Sequence, residues 1–322
     1  MMEEMIFFGN EICCGTYAFL NTIQEDTIDY KLFEITTTVP FGIKHQREMD
    51  FSRLLTTFCD PNEGVDKAAA LWGYRQEKKI FEDEREAAAY IGEESYRHRC
   101  MVGPLDMGKL EYLLIPNLYT NMDHYITVFR EGGELFCVDS EGIPARRISL
   151  EELKTWMCVK KLPEAKGHIA VRTFEREEGF VREKRDEQVL LRSISAIAGN
   201  IRKAEEAKQG SRAVKACWDW LGEQPMNRWR LSFLYDISFL IQRKFLQNYW
   251  KELLWKFDIL KKGTIYEIGD IVERQIDLLS DMFRFLRSDN RVYQENFIRL
   301  AELEREFYNT MEKVGKTDVS GA

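Results

Sequence analysis

Two stretches of this chain carry residue types that can work together as a nucleophile and its base. Cys13-Cys14-Gly15-Thr16 stands at the start of a helical pattern that runs from Cys14 to Ile23. A thiolate at such a start meets unpaired backbone N–H groups and the positive end of the helix dipole, which activates it. The plainer alternative is an inert buried cysteine, which is common. Farther along, Asp123-His124-Tyr-Ile-Thr-Val-Phe-Arg130 alternates, Glu131-Gly132-Gly133 reads as a turn, and Glu134-Leu-Phe-Cys-Val138 alternates again up to Asp139. These spacings predict a β-hairpin. A turn centred between Glu131 and Gly132 sets His124 opposite Asp139, and one centred on Gly132-Gly133 sets it opposite Glu141. Opposed β-carbons lie ~5 Å apart, so imidazole and carboxylate can meet. A base with its orienting acid then needs only a nucleophile. A purely structural His–Asp pair is the other reading of the same residues.

Other chemistries lack their signals. His45, His98, His124 and His168 are far apart, and no Cys-x-x-Cys or His-x-x-x-His spacing occurs, so no metal site is expected. No Gly-x-Gly-x-x-Gly occurs, which removes the sign of a dinucleotide site. Gly315-Lys316-Thr317 mimics the end of a phosphate loop, but the position that needs the first glycine is Thr310. No cofactor is expected. A net charge of −8 and a pI near 5.4 argue against general nucleic-acid binding. No apolar run is long enough to span a membrane. Met1-Met2-Glu3-Glu4 is acidic where a secretory signal is positive, and seven cysteines is an odd number. Reduced thiols in a cytoplasmic protein are the expectation.

The elements that must position these residues fall into two halves. Hydrophobic residues make up 44% and charged residues 31%, the balance of a globular chain. Residues 1–184 hold 23 Lys+Arg and 33 Asp+Glu, against 23 and 21 in residues 185–322. Six of the seven prolines precede the change. The expected division is a catalytic domain at 1–172, a charged connector at 173–187 and a helical domain at 188–322. In the first half, helical patterns at Cys14–Ile23, Phe51–Phe58, Val65–Tyr74 and Glu84–Ile91 are followed by strands at Arg99–Val102, His124–Arg130, Glu134–Val138 and Gly167–Arg172. Ser149-Leu-Glu-Glu-Leu153 has the hydroxyl-then-carboxylate signature of a helix start. The second half reads as roughly five helices, from Val189 through Met311, with Trp229–Leu260 apolar on more than one face. Trp218, Trp220, Trp229, Trp250 and Trp255 lie there, and at helical spacing such residues are more often core than a ligand groove.

Cys, His and Asp in that order, with helices first and an antiparallel sheet after, describe the papain-like α+β fold. The sequence resembles the N-terminal domain of the butirosin-biosynthesis protein H family, relatives of the bacteriocin-leader-processing cysteine peptidases. Four stretches carry the resemblance: Cys14-Gly-Thr-Tyr-Ala18, Val39-Pro-Phe-Gly42, Val102-Gly-Pro-Leu-Asp-Met-Gly108, and Met122-Asp-His-Tyr125 with Val138-Asp139. They span about residues 9–158, and the Gly-Pro-Leu-Asp-Met-Gly stretch is the most specific. The resemblance implies Cys14 as nucleophile, His124 as general base and acid, and Asp139 as its orienter. It also implies amide formation in natural-product assembly, an acyl group passing from an acyl carrier protein thioester through the cysteine to a small-molecule amine. Cys13, where the family often has histidine, is the alternative nucleophile. The peptidases place an oxyanion-hole glutamine six residues before the nucleophile; that position is Phe8 here, and Asn10 is the substitute donor. Asp106 is either a substrate-side carboxylate or a turn-former. Hydrolysis by the same triad and a non-catalytic scaffold are the rival readings. An acidic carrier protein is expected to dock on the helical half, through Lys261, Arg284 and Arg287.

Overall fold

The computed structural model describes residues 7–8, 13–45, 55–113, 120, 122–160, 162, 165, 167–179, 185–223, 226–288 and 293–317. In chain order the elements are α1 (Cys14–Ile23), α2 (Tyr30–Thr36), β1 (Ile43–His45), β2 (Leu55–Thr57), α3 (Pro61–Leu71), β3 (Tyr74–Phe81) and α4 (Glu84–Glu94). Then come β4 (Cys100–Asp106), β5 (Asp123–Glu131), β6 (Glu134–Asp139), β7 (Ile143–Arg147), α5 (Leu150–Trp156) and β8 (Ile169–Arg176). Five helices follow: α6 (Arg185–Glu206), α7 (Ser211–Glu223), α8 (Met226–Lys256), α9 (Lys262–Ser288) and α10 (Gln294–Thr317). The protein is α+β with a helical C-terminal region.

Two compact units form, Met1–Phe33 with Pro61–Val181 and Glu34–Asp60 with Arg182–Ala322. The sequence suggests a single cut in the charged run. The structure adds two more, because residues 34–60 group with the C-terminal helices.

The first unit is built on a six-stranded antiparallel sheet in the order β3-β8-β4-β5-β6-β7. β4 is buried along its whole length, as an interior strand should be. β3 is an edge strand, and its sequence, Tyr-Arg-Gln-Glu-Lys-Lys-Ile-Phe, is too charged to read as one. Charge on an edge keeps other chains from pairing with it. Arg75 forms an ion pair with its cross-strand partner Glu175, and Lys78 pairs with Asp66 at 2.6 Å. Asp66 also receives Nε of the fully buried Arg172 at 2.6 Å, which fastens α3 to β8. β8 runs to Arg176, so the charged stretch expected as a connector begins inside the sheet. The helix expected over Phe51–Phe58 is corrected: Leu55–Thr57 is a strand, and residues 51–54 lie outside the described residues. Three apolar or β-branched positions in a row suited a strand as well as a helix turn, and pairing with β1 decided it. At Ser149 the predicted helix start is a full capping box with Glu152.

The second unit holds α6–α10 and the β1–β2 ribbon. Its core gathers Trp229, Phe233, Ile237 and Leu240 of α8 with Leu279 and Leu286 of α9 and Phe297 and Leu300 of α10. Trp250 is also fully buried, whereas Trp255 is 43% exposed and stands outside the core. The Val39-Pro-Phe-Gly42 stretch is held here. Asn200 Nδ2 donates to Phe41 O at 2.6 Å, Gln247 Nε2 donates to Pro40 O at 2.7 Å, and the Phe41 ring meets Trp250 edge-on at 5.3 Å. Lys261 precedes α9 while Arg284 and Arg287 lie in its last turns. At 1.5 Å per residue Lys261 lies ~35 Å along the helix from Arg284.

Candidate active site

The site is built where the N-terminus of α1 meets the β5–β6 hairpin. Cys14 is the first residue of α1, and Cys13 stands at its N-cap. Residues Gly15–Thr22 are all buried, so this is an interior helix held in place from several sides. Thr127 Oγ1 on β5 donates to Ala18 O at 2.7 Å, and Thr22 Oγ1 lies 3.1 Å from Thr127 Oγ1. A Cβ on Gly15 would lie 3.2 Å from Val65 Cγ2, which shows how closely α1 lies to α3. Phe8 N donates to Asn21 Oδ1 at 3.0 Å, and Asn21 Nδ2 donates back to Phe8 O at 2.9 Å. Asn10 lies outside the described residues.

The hairpin takes the second of the two registers that the sequence allowed. Glu131 pairs with Glu134 and Thr127 with Val138, so the turn is Gly132-Gly133, with φ of +57° and +84°. A two-residue turn with positive φ at both positions matches the strand twist, and glycine adopts it without strain. His124 is therefore not directly opposite Asp139; its register partner is Leu105 on β4. A slip of two residues leaves both side chains on the same face, because the side-chain period is also two. The contact is diagonal, and the imidazole covers the extra distance.

The Val102–Gly108 stretch sets where β5 begins. The β4–β5 register shifts between Val102 and Leu105, across Gly103-Pro104. A Cβ at Gly103 would run into the Tyr125 ring and would lie 2.8 Å from His124 O. Only glycine lets β4 approach β5 this closely beside the histidine. Asp106 accepts from Gly108 N at 3.0 Å and lies 4.0 Å from Lys109 Nζ, so it caps the short 3-10 turn at Met107–Lys109. Here the turn-forming role of Asp106 is visible.

His124 Nε2 lies 2.7 Å from Asp139 Oδ1, and the two side chains are 2% and 0% exposed. Cys14 is near enough to His124 to raise its pKa as well. With Nε2 taken by Asp139, Nδ1 is the nitrogen left for the thiol. Burial works against a charge on His124, but the charge and hydrogen bond of Asp139, with Cys14, hold it well above its ordinary value. Burial would likewise raise Asp139, but His124, Tyr112 and the Glu141 N–H hold it below the ordinary carboxylate range. The two shifts run in opposite directions, each favouring the charged form of one partner beside the other. Other thiols are in different surroundings: burial pushes Cys100 and Cys137 up to about 12, and Cys217 well above its ordinary value. None of the seven cysteines is disulfide-bonded.

Two features of the site lie beyond the sequence reading. Tyr112 Oη donates to Asp139 Oδ2, and Glu141 N donates to Asp139 Oδ1 at 2.9 Å. Glu141, the alternative partner for His124, thus contributes its backbone to Asp139. Tyr112 follows the Met107–Lys109 turn in a stretch with no helical or strand period, and no sequence signal marks it. Among the described residues no group of three or more His, Cys, Asp or Glu side chains is placed to hold a metal ion. Among the described residues no helix is long and apolar enough to cross a membrane.

The chain is 26% identical over 170 residues to the uncharacterized protein YobF of Bacillus subtilis (strain 168). The match covers 51% of this chain and 53% of that protein, so the chain spans about half the length of the relative it matches. No protein-family model matches the chain.

Proposed function

We propose that the chain is a thiol-dependent acyltransferase of the butirosin-biosynthesis protein H type, with a papain-like catalytic unit. The observation that carries this reading is the relay Cys14–His124–Asp139, in which a helix-terminal thiol stands beside a buried histidine held by Asp139. The thiol proton passes to Nδ1 of His124 as the reaction begins. Cys14 Sγ attacks the thioester carbonyl, a new S–C bond forms, and the departing thiolate takes the proton from the imidazolium. The amine then attacks the acyl-enzyme and gives its proton to His124, which returns it to Cys14 as the S–C bond breaks. The Cys14 backbone N–H, at the start of α1, is one donor for the oxyanion. Thiol–thioester exchange is close to balanced, so the enzyme's task is to position the amine and exclude water.

The donor is an acyl carrier protein or another thioester, the acceptor is a small amine, and the setting is the cytoplasm. The same residues with water as acceptor make a cysteine peptidase or amidase. A pulse of model acyl thioester, with and without a panel of amines, separates the two. Amide formed in preference to free acid supports transfer; free acid alone supports hydrolysis. A chain inert to every donor in the panel retains the fold as a scaffold.

A further inference from the structure

Asp139 is held by more than its histidine. Oδ1 faces His124 Nε2 at 2.7 Å and takes the Glu141 N–H at 2.9 Å, while Oδ2 takes the Tyr112 hydroxyl. A carboxylate with one partner can rotate about its C–C bond; one held at both oxygens cannot. Tyr112 is itself fixed. Its ring packs edge-on against Trp156, the last residue of α5, with centroids 5.3 Å apart. The Arg146 guanidinium lies over the Tyr112 ring at 5.0 Å and over Trp156 at 5.7 Å. Arg146 is anchored in turn by Glu152 Oε1 at 3.0 Å and by its register position opposite Cys137, two residues before Asp139. The cation over the ring makes the phenol a stronger hydrogen-bond donor. Burial and the neighbouring Asp139 charge push Tyr112 far above its ordinary value, so the hydroxyl keeps its proton and donates at every working pH.

We propose that Tyr112 is a positioning residue for this site, holding Asp139 Oδ2 so that Oδ1 meets His124 Nε2 and Nδ1 is left for the Cys14 thiol. The proposal rests on the acyl-transfer reading only in taking Cys14 and His124 as the reacting pair. The Tyr112 hydroxyl bonds to Asp139 and acts through it. Arg146 acts one step farther out, through the ring of Tyr112.

The test uses the full chain and the rate of Cys14 alkylation by iodoacetamide, followed by peptide mass across pH. This readout needs no acyl donor. Removing a hydrogen bond to a charged group makes the carboxylate easier to protonate, so Tyr112→Phe should move the acid limb of the rate profile up by about one pH unit. Arg146→Gln should move it the same way by less, and that variant serves if Tyr112→Phe does not fold. In an Asp139→Asn background, Tyr112→Phe should add nothing, because the hydroxyl has no carboxylate left to hold. A wild-type profile in both Tyr112→Phe and Arg146→Gln overturns the proposal, as does an equal Tyr112→Phe shift with and without Asp139. Alkylation that ignores His124→Ala also overturns it, by removing the reacting pair. A chain that shows the predicted shift yet transfers no acyl group keeps the role of Tyr112 and loses the acyl-transfer reading.

Discussion

Each unit of this protein has, among its described residues, an ion pair with both side chains deeply buried, His124–Asp139 in one and Lys244–Glu304 in the other, and these two end differently. In the helical unit Lys244 Nζ lies 2.6 Å from Glu304 Oε1, with the two side chains 2% and 6% exposed. Lys244 also reaches Gln247 Oε1 at 3.3 Å, Gln275 Nε2 donates to Glu304 at 3.0 Å, and Gln247 passes the chain of bonds to Pro40 O. The outer bonds of that set reach side-chain amides and a main-chain carbonyl. The pair in the sheet unit, His124 with Asp139, is as deeply buried and as short, but it ends on a partly exposed thiol. A closed set of partners can only hold a structure together. A set that ends on an accessible thiol can pass its polarisation to a reacting atom. The comparison teaches that burial and distance alone do not distinguish two buried pairs; the group at the end of each network does.

The largest effect that would break the comparison is kinetic. His124→Ala should slow Cys14 alkylation near neutral pH by ~10²–10⁴-fold, the usual contribution of a positioned base. Lys244→Met should leave the alkylation rate per folded molecule unchanged; a loss like that of His124→Ala would erase the distinction.

Next in size is stability. Removing one member of a buried pair strands the other's charge, so Lys244→Met should lower unfolding free energy by ~3–5 kcal/mol. Lys244→Met with Glu304→Leu should recover most of that loss, as read by urea unfolding. If both singles are neutral, the pair is not the internal tie described here.

Asp139→Asn should be milder for alkylation than His124→Ala, because it misorients the imidazole without removing it. Its signature is in pH. His124 is raised on folding, so its contribution to stability is fully present below its unfolded value of about 6.5 and fades as pH rises through the folded value. Asp139 is lowered, so its contribution is present above its unfolded value of about 3.9 and fades as pH falls through the folded one. Wild type should therefore gain most over Asp139→Asn between those limits, and thermal midpoints across pH would show a flat difference if the pair does not form.

The smallest effect sharpens the contrast with the surface. Lys67 and Glu63, 3.0 Å apart, are both largely exposed. Lys67→Ala should change stability by less than about 1 kcal/mol and should lose even that in high salt.

Much of this was legible in the residues, for physical reasons that can be named. The α1 start, the hairpin and the capping box at Ser149 are local features, fixed by period and by side-chain chemistry over a few residues. The hairpin register was open to two readings, and the paired glycines at the turn settled it by the φ they adopt. What escaped depends on distant partners. β3 is a strand because β8 pairs with it, not because its residues alternate in polarity. Residues 34–60 belong with the helices through Asn200, Gln247 and Trp250, far along the chain. Tyr112 sits in an irregular stretch, and its bond to Asp139 spans 27 residues. Asp106 illustrates a middle case: its type and place allowed two roles, and the turn at Gly108 is the one the structure displays.

The most direct measurement is the intact mass of the protein after a short pulse of acyl thioester. A single acyl adduct should appear on wild type and on Cys13→Ala, since Cys13 stands at the N-cap, one residue before the helix start. Cys14→Ala should carry none. An adduct that persists in Cys14→Ala and vanishes in Cys13→Ala would move the nucleophile by one residue; full turnover in the double variant would contradict a covalent mechanism at this site.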